Sequence, residues 1–223
     1  MASTSIRQTR WAVRTQISVA VCGWSSHHGS ILAAVRTGIL GGTFDPIHVA
    51  HLHTAECVLH QAGLDRVLIV PAGDPWQKSG RDVTPGKHRL EMCRLAIAMA
   101  DGLEVDLREL DRDGPTYTIE TLGTFPEDEE LFLILGSDSL AGIETWYRWQ
   151  DVLERVTLIE APRAGIATDV GVRLGALRLD MGPLAISSTD IRGRIAEGKP
   201  YRYLVTDPVY GYIEATNLYA ESP

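Results

Sequence analysis

The run Gly41-Gly42-Thr43-Phe44-Asp45-Pro46-Ile47-His48-Val49-Ala50-His51 combines residue types suited to holding an anion. Gly41 and Gly42 let the backbone approach a ligand closely. Asp45 is expected to cap a helix whose first turn Pro46 preorganises, and the amides of a first turn have no partner within their own helix. Such amides, pointing into the crevice beyond a strand, make an anion site. His48 and His51 are three residues apart, so one helical face would carry both beside those amides, where a triphosphate would lie. Two imidazoles there can donate to phosphate oxygens as charge builds in a transition state. The plainer alternative is that a Gly-Gly turn punctuates packing and that the histidines are an ordinary surface or core pair. The residues by themselves leave both readings open.

Three other stretches carry similar potential. In Ile186-Ser187-Ser188-Thr189-Asp190-Ile191-Arg192, hydroxyls at a helix N-terminus precede an arginine one turn later. Side chains, amides and a guanidinium fork can together gather phosphate oxygens, although the same residues also make an ordinary N-cap with a solvated arginine. Asp138, in Leu135-Gly136-Ser137-Asp138, either meets a ligand or caps a helix. Thr145-Trp146-Tyr147-Arg148-Trp149 concentrates aromatics in a chain that has only 7% of them. An aromatic face is a platform for a flat, electron-poor ring, and neighbouring amides can bind a carboxylate on it. The alternative is one core tryptophan and one edge contact.

These groups need a scaffold, and the pattern from Thr37 onward supplies one. Short apolar runs alternate with helical periodicity, as in βαβ units around a parallel sheet. Strands are expected at 37–41, 66–71, 103–106, 131–136, 156–161 and 176–179. A first helix carries Leu52, Ala55, Leu59 and Ala62 at spacings of three and four, with Gly63 as its C-cap. A second starts at Thr84-Pro85 and buries Leu90, Cys93, Ile97 and Ala100, which are core residues. A third starts near Ser188, runs through Ile191 and Ile195 and stops at Gly198-Lys199-Pro200, and the last spans roughly 206–216. The polar loops 72–86 and 107–117, rich in Gly, Pro and Asp, are where binding elements would sit on a rigid frame.

Size and charge narrow the possibilities. A chain of 223 residues with 44% apolar content fits one sizeable α/β domain. The formal charge of -8 argues against a broad nucleic-acid footprint, which needs a basic face. Cys22, Cys57 and Cys93 are odd in number and lack a C-x-x-C pair, which points to reduced thiols and a cytoplasmic setting. No apolar stretch approaches the roughly 20 residues needed to span a bilayer. Residues 1–36 read differently. The first 37 residues contain Arg7, Arg10, Arg14 and Arg36 but no Lys, Asp or Glu, so removing those four charges from -8 leaves -12 for residues 38–223. Their apolar part, Ile17 to Cys22, is short for a signal h-region. The extension is expected to be disordered, or to reflect a start codon placed upstream of a start at Val35.

Taken together, the motifs resemble those of the HxGH nucleotidyltransferase superfamily. The first run is similar to the Gly-Gly-Thr-Phe-Asp-Pro-x-His-x-x-His signature of bacterial nicotinate mononucleotide adenylyltransferases, with Ala50 where Gly is usual. Ile186 to Arg192 resembles the Ile-Ser-x-Thr/Ser-x-x-Arg element that grips the β- and γ-phosphates of ATP. Gly136 and Asp138 match a Gly-x-Asp turn that meets the nucleotide. Val70 to Lys78 looks like a Pro-x-x-x-Pro-x-Lys loop with one extra polar residue, Gln77, so Lys78 is equally a phosphate contact or a solvated lysine. Glu109 to Thr118 resembles Glu-x-x-Arg-x-Gly-x-Ser-Tyr-Thr, with Thr116 keeping the hydroxyl. Pro162-Arg163-Ala164-Gly165 is similar to an Arg-Pro-Gly turn, with its proline displaced.

The resemblance covers residues 38–217. It implies a Rossmann-like doubly wound parallel sheet forming a single nucleotidyltransferase domain over residues 37–217, with a short tail at 218–223. It implies adenylyl transfer from ATP to nicotinate mononucleotide, a step in NAD biosynthesis. His48, His51 and Arg192 would be catalytic. Gly41, Gly42, Thr43, Phe44, Gly136, Asp138, Ile186, Ser187, Ser188 and Thr189 would bind ATP. Lys78, Thr116, Tyr117, Thr118, Trp146, Tyr147 and Arg163 would bind the acceptor, Trp146 stacking on its ring and Trp149 packing. Mg²⁺ would arrive mainly with ATP, since no carboxylate cluster is present to cage it. The implied partners are ATP and nicotinate mononucleotide, with no nucleic acid and no membrane, and association with a second copy is left open. The alternatives are a sister enzyme using phosphopantetheine or a polyol phosphate, and a non-catalytic nucleotide-binding module.

Overall fold

The structure, a computed structural model, describes residues 34–73, 83–112, 114–162, 169–182 and 184–220. In chain order the elements are β1 (Arg36–Gly42), α1 (Val49–Gln61), β2 (Arg66–Pro71), α2 (Gly86–Ile97), β3 (Leu103–Val105), α3 (Thr118–Leu122), β4 (Glu130–Gly136), α4 (Ser137–Ala141), α5 (Trp149–Arg155), β5 (Val156–Ala161), α6 (Asp169–Arg173), β6 (Leu177–Arg178), α7 (Ser188–Ala196) and α8 (Asp207–Thr216). All strand pairs are parallel, in the order β3-β2-β1-β4-β5-β6. This is the doubly wound order, reversing direction between β1 and β4.

Both faces of the sheet are covered, which is why its strands read as nearly continuous apolar runs. Alternation sends Ile39, Leu68, Val70, Leu133, Leu135 and Leu158 to one face, where Leu122, Leu140 and Val152 from α3, α4 and α5 meet them. It sends Leu40, Val67, Ile69, Ile134 and Ile159 to the other, against Ala55, Met92, Ile191 and Val209 from α1, α2, α7 and α8. All six expected strands form, with ends shifted by a residue or two. The short helices α3 to α6 were not foreseen, because five to seven residues are too few for a 3.6-residue period to register. Among the described residues no helix is long and apolar enough to cross a membrane. Cys57 and Cys93 are unbridged, while Cys22 lies outside the described residues.

Three expectations about helix ends and faces are corrected. Helix α1 is capped by His48, three residues beyond Asp45. Asp45 is instead turned inward at 4% exposure, accepting from the Thr84 amide at 3.3 Å and the Tyr219 hydroxyl at 2.7 Å. Gly63 follows the C-cap Ala62, its φ of +60° closing α1 in the left-handed conformation that glycine adopts most easily. Helix α2 has Pro85 at its N-cap and buries Arg89, Met92, Cys93 and Ile97, so Leu90 is half-buried and Ala100 exposed. That face is turned from the expected one because an arginine occupies its first inward position.

The register opens the crevice. Pairing of β1 with β4 ends at Ile39↔Leu133, although β1 continues to Gly42 and β4 to Gly136. On their outer sides the same strands stay paired to their ends, Gly42 with Pro71 and Gly136 with Ala161. The carboxyl ends of the two central strands therefore separate at the switch point, where ligands of such sheets bind.

Candidate functional site

Two cavities meet in this crevice, and Gly41, Gly42, Leu135 and Ser139 line both. The inner one, about 260 Å³, lies on the α3 and α4 side, and the outer one, about 570 Å³, on the α1 and α7 side. The two glycines serve different ends. A Cβ on Gly41 would meet nothing within 4 Å, so its bareness widens the passage between the cavities. A Cβ on Gly42 would come within 3.0 Å of the Phe44 ring. Phe44 is 2% exposed and lines neither cavity, and its ring meets that of His51 edge-on at 5.0 Å. Thr43, expected beside the nucleotide, lines the inner cavity.

His48 and His51 both line the outer cavity, their rings stacked at 3.7 Å. The His48 amide donates to Nδ1 of His51 at 3.3 Å. An imidazole nitrogen that accepts leaves the proton of the neutral ring on the other nitrogen, so His51 presents Nε2–H as a donor. Opposite them α7 begins, where Ser187 caps by accepting from the Asp190 amide at 3.1 Å. Ser188 donates to the Pro46 carbonyl at 2.9 Å, so its hydroxyl ties α7 to the turn before α1. Arg192 donates from Nη1 to the Asp45 carbonyl at 2.7 Å and from Nη2 to the Thr189 hydroxyl at 3.5 Å. Ile186, Gly136 and Asp138 complete this wall, and Ala50 lines the same cavity with its added methyl.

The inner cavity is built from aromatic rings and hydroxyls. Thr116, Tyr117, Thr118, Trp146 and Tyr147 all line it, with Thr116 buried, Trp146 half-buried and the Tyr117 and Tyr147 rings 4.9 Å apart. Trp149 begins α5, half-buried. Lys78 and Arg163 lie outside the described residues. Glu109 also lines this cavity; burial pushes its carboxyl above the ordinary range, although the Thr121 hydroxyl donates to it at 2.8 Å. Gly73 must stay bare, because a Cβ there would lie 2.1 Å from the Glu109 carbonyl oxygen.

One residue that shapes the site escaped the reading of motifs. Arg89 is 2% exposed, and burial lowers the pKa of its guanidinium. It donates to the carbonyls of Thr84 at 2.9 Å, Thr43 at 2.9 Å and Gly73 at 3.3 Å, pinning the loops that follow β1 and β2 to the start of α2. Only a guanidinium offers three such donors in one plane. Its signal was present in the sequence: Arg89 completes an inward spacing of i, i+3, i+4 and i+8 with Met92, Cys93 and Ile97.

The arrangement can seat a polyphosphate among imidazole, guanidinium and amide donors on one side of Gly41, and a flat ring on the other. Among the described lining residues of the outer cavity Asp138 is the one carboxylate, and no group of three or more His, Cys, Asp or Glu suits a metal ion. The donor set thus fits a cation carried by phosphate oxygens better than one caged by protein.

A family model described as cytidylyltransferase-like matches residues 39–194. A "Probable nicotinate-nucleotide adenylyltransferase" of Roseiflexus sp. (strain RS-1) is 44% identical over 84% of this chain and 100% of its own. One of Symbiobacterium thermophilum is 42% identical over 82% of this chain and 95% of its own. Among solved structures, the Plasmodium falciparum nicotinic acid mononucleotide adenylyltransferase complexed with NaAD has a TM-score of 0.71 at 19% identity, covering 84% of this chain and 98% of that one, which speaks to fold alone. On the sequence matches the chain belongs to the cytidylyltransferase-like family and, within it, to the nicotinate-nucleotide adenylyltransferases.

Proposed function

We propose that the protein transfers the adenylyl group of ATP to nicotinate mononucleotide, giving nicotinate adenine dinucleotide and pyrophosphate. The observation that carries this is the single crevice with phosphate donors on one side of Gly41-Gly42 and an aromatic chamber on the other. An oxygen of the acceptor's 5′-phosphate attacks the α-phosphorus of ATP, and the bond to the β-phosphate oxygen breaks. That oxygen already carries negative charge, so no general base is required, and catalysis rests on positioning and charge stabilisation.

In this reading Nε2–H of His51, beside His48, donates to the oxygens on which charge accumulates. Arg192 and the N-terminus of α7, with Ile186, Ser187, Ser188 and Thr189, hold the departing pyrophosphate. Gly41, Gly42, Gly136 and Asp138 receive the nucleotide, and Thr43 and Phe44 support that turn. Trp146 stacks on the pyridine ring, with Thr116, Tyr117, Thr118 and Tyr147 around it, and Lys78 and Arg163 keep the acceptor-side roles implied by the motifs. Mg²⁺, arriving with ATP, supplies neutralisation of the phosphate charge.

Purified protein incubated with ATP, Mg²⁺ and either nicotinate or nicotinamide mononucleotide tests the reading by pyrophosphate release. Faster release with the acid is expected; no release with either acceptor removes the assignment.

A further inference from the structure

We infer that Tyr219, near the end of the chain, is a positioning residue that holds the Asp45–Pro46 turn in place and, through it, the phosphate-gripping Arg192. Asp45 carries a buried carboxylate, which is costly unless its oxygens are satisfied. Tyr219 donates its hydroxyl to Oδ1 at 2.7 Å, and the Thr84 amide serves Oδ2 at 3.3 Å. The backbone of this turn then holds side chains that line the outer cavity. Its Asp45 carbonyl accepts from Arg192 and its Pro46 carbonyl from Ser188, and His48 follows as the cap of α1.

The approach of Tyr219 is imposed by the chain. At the start of the stretch read from sequence as a tail, 218–223, Leu218 folds back onto α8, donating to the Ile213 carbonyl at 3.2 Å. Asn217 and Tyr219 both have left-handed φ values, +53° and +66°. Asparagine tolerates that region, but a bulky tyrosine is held there only where its surroundings dictate it. Burial raises the Tyr219 pKa, with the charge of Asp45 adding to the effect, so the hydroxyl remains a donor. A residue serving packing alone would need only the ring against the core, whereas here the hydroxyl is engaged, 2.7 Å from Asp45 Oδ1 and 3.9 Å from Met92 Sδ.

The inference rests on the proposed function for its meaning, but its test reads binding. In full-length protein, Tyr219→Phe keeps the ring and removes one donor. Calorimetry is expected to show ATP affinity falling about tenfold while affinity for nicotinate mononucleotide stays within about twofold, because Arg192, Ser188 and His48, which the turn holds, line the outer cavity. The melting temperature is expected to fall by roughly 2–8 °C, because the buried Asp45 carboxylate loses one donor. In an Arg192→Lys background the same substitution is expected to change ATP affinity by less than about twofold, since its effect runs through Arg192. Unchanged ATP affinity overturns the inference, as does an equal loss for both ligands. A wild-type protein that binds ATP but releases no pyrophosphate overturns the functional reading and leaves this test standing. One that fails to bind ATP overturns both.

Discussion

Thr37 and Gly41 lie four residues apart on β1, at opposite ends of the sheet. Thr37 is fully buried, donating to Glu129 and accepting from Nε of Arg66 at 3.0 Å. Arg66 also donates to Glu129 at 2.9 Å, Arg155 caps the Glu129 carbonyl at 3.0 Å, and Arg36 reaches the carbonyls of Ala62 and Gly63 at 2.8 and 2.7 Å. Around Gly41 the same kinds of side chain line an open cavity. Arg192 spends Nη1 on the Asp45 carbonyl, His51 is fixed at Nδ1, and both line the outer cavity. The amino end of the sheet thus uses arginines and hydroxyls to close the fold. The carboxyl end uses backbone contacts to set them along the wall of a cavity.

Two glutamates show the same contrast in their protonation. Burial pushes Glu129 up, but the Thr37 hydroxyl and Arg66 outweigh it and hold the carboxyl below the ordinary range. Glu109 in the inner cavity has hydroxyl partners and a more distant Arg112, and burial prevails. A paired carboxylate belongs to a finished structure, whereas a desolvated one beside a cavity marks a candidate for contact with a ligand.

The contrast can be broken by exchanging the expected effects of substitutions at the two ends. His51→Ala should have the largest effect, lowering kcat by about a hundredfold to a thousandfold with little change in melting temperature, as for removal of a preorganised donor. Near-normal turnover would take His51 out of the mechanism. Trp146→Ala should raise KM for nicotinate mononucleotide by about tenfold and leave KM for ATP within about twofold, and steady-state kinetics in both substrates would expose any uniform loss. Glu129→Gln should cost about 1–3 kcal/mol of stability in denaturant unfolding and leave both KM values unchanged. A kinetic defect there would erase the distinction between the ends.

The smallest effect concerns pH. A carboxylate with a depressed folded pKa contributes stability that is present above its unfolded pKa and lost as pH falls through the folded value. With Glu129→Gln, the stability difference should therefore move in favour of the wild type as pH rises through the acid range. Glu109 has the opposite sign. Its folded form holds the proton more tightly, so wild-type stability declines as pH rises from the ordinary glutamate range through the raised value. Glu109→Gln should gain on the wild type over that window. Unfolding curves of both variants across the acid range would show slopes of opposite sign, and slopes of the same sign would refute the assignment.

Much of this was legible in the residues. Each expected strand formed because alternation and apolar runs depend on near neighbours and on burial of both sheet faces. His48, His51 and Arg192 could be picked out because a Gly-Gly turn before a helix and hydroxyls before an arginine are local patterns. Asp45 was misread for the same reason. An aspartate before a proline and a helix satisfies every local requirement of a cap, and nothing nearby reveals that a tyrosine 174 residues away donates its hydroxyl to it. Arg89 was passed over because a charge within a helical pattern ordinarily marks the solvated face.

The sequence by itself determined the six strands and the four longer helices, the bare turn at Gly41-Gly42 and the identity of the chemical groups at the carboxyl ends. Backbone preference and hydrophobic period act over a few residues, so they are fully present in the string. The tertiary structure alone decided that β1 and β4 part after Ile39, that Thr43 faces the inner cavity, and that Arg192 leans on a carbonyl 147 residues distant. Those outcomes depend on which buried polar groups find partners once the chain has closed on itself, and a buried polar group's partner is chosen by proximity in space.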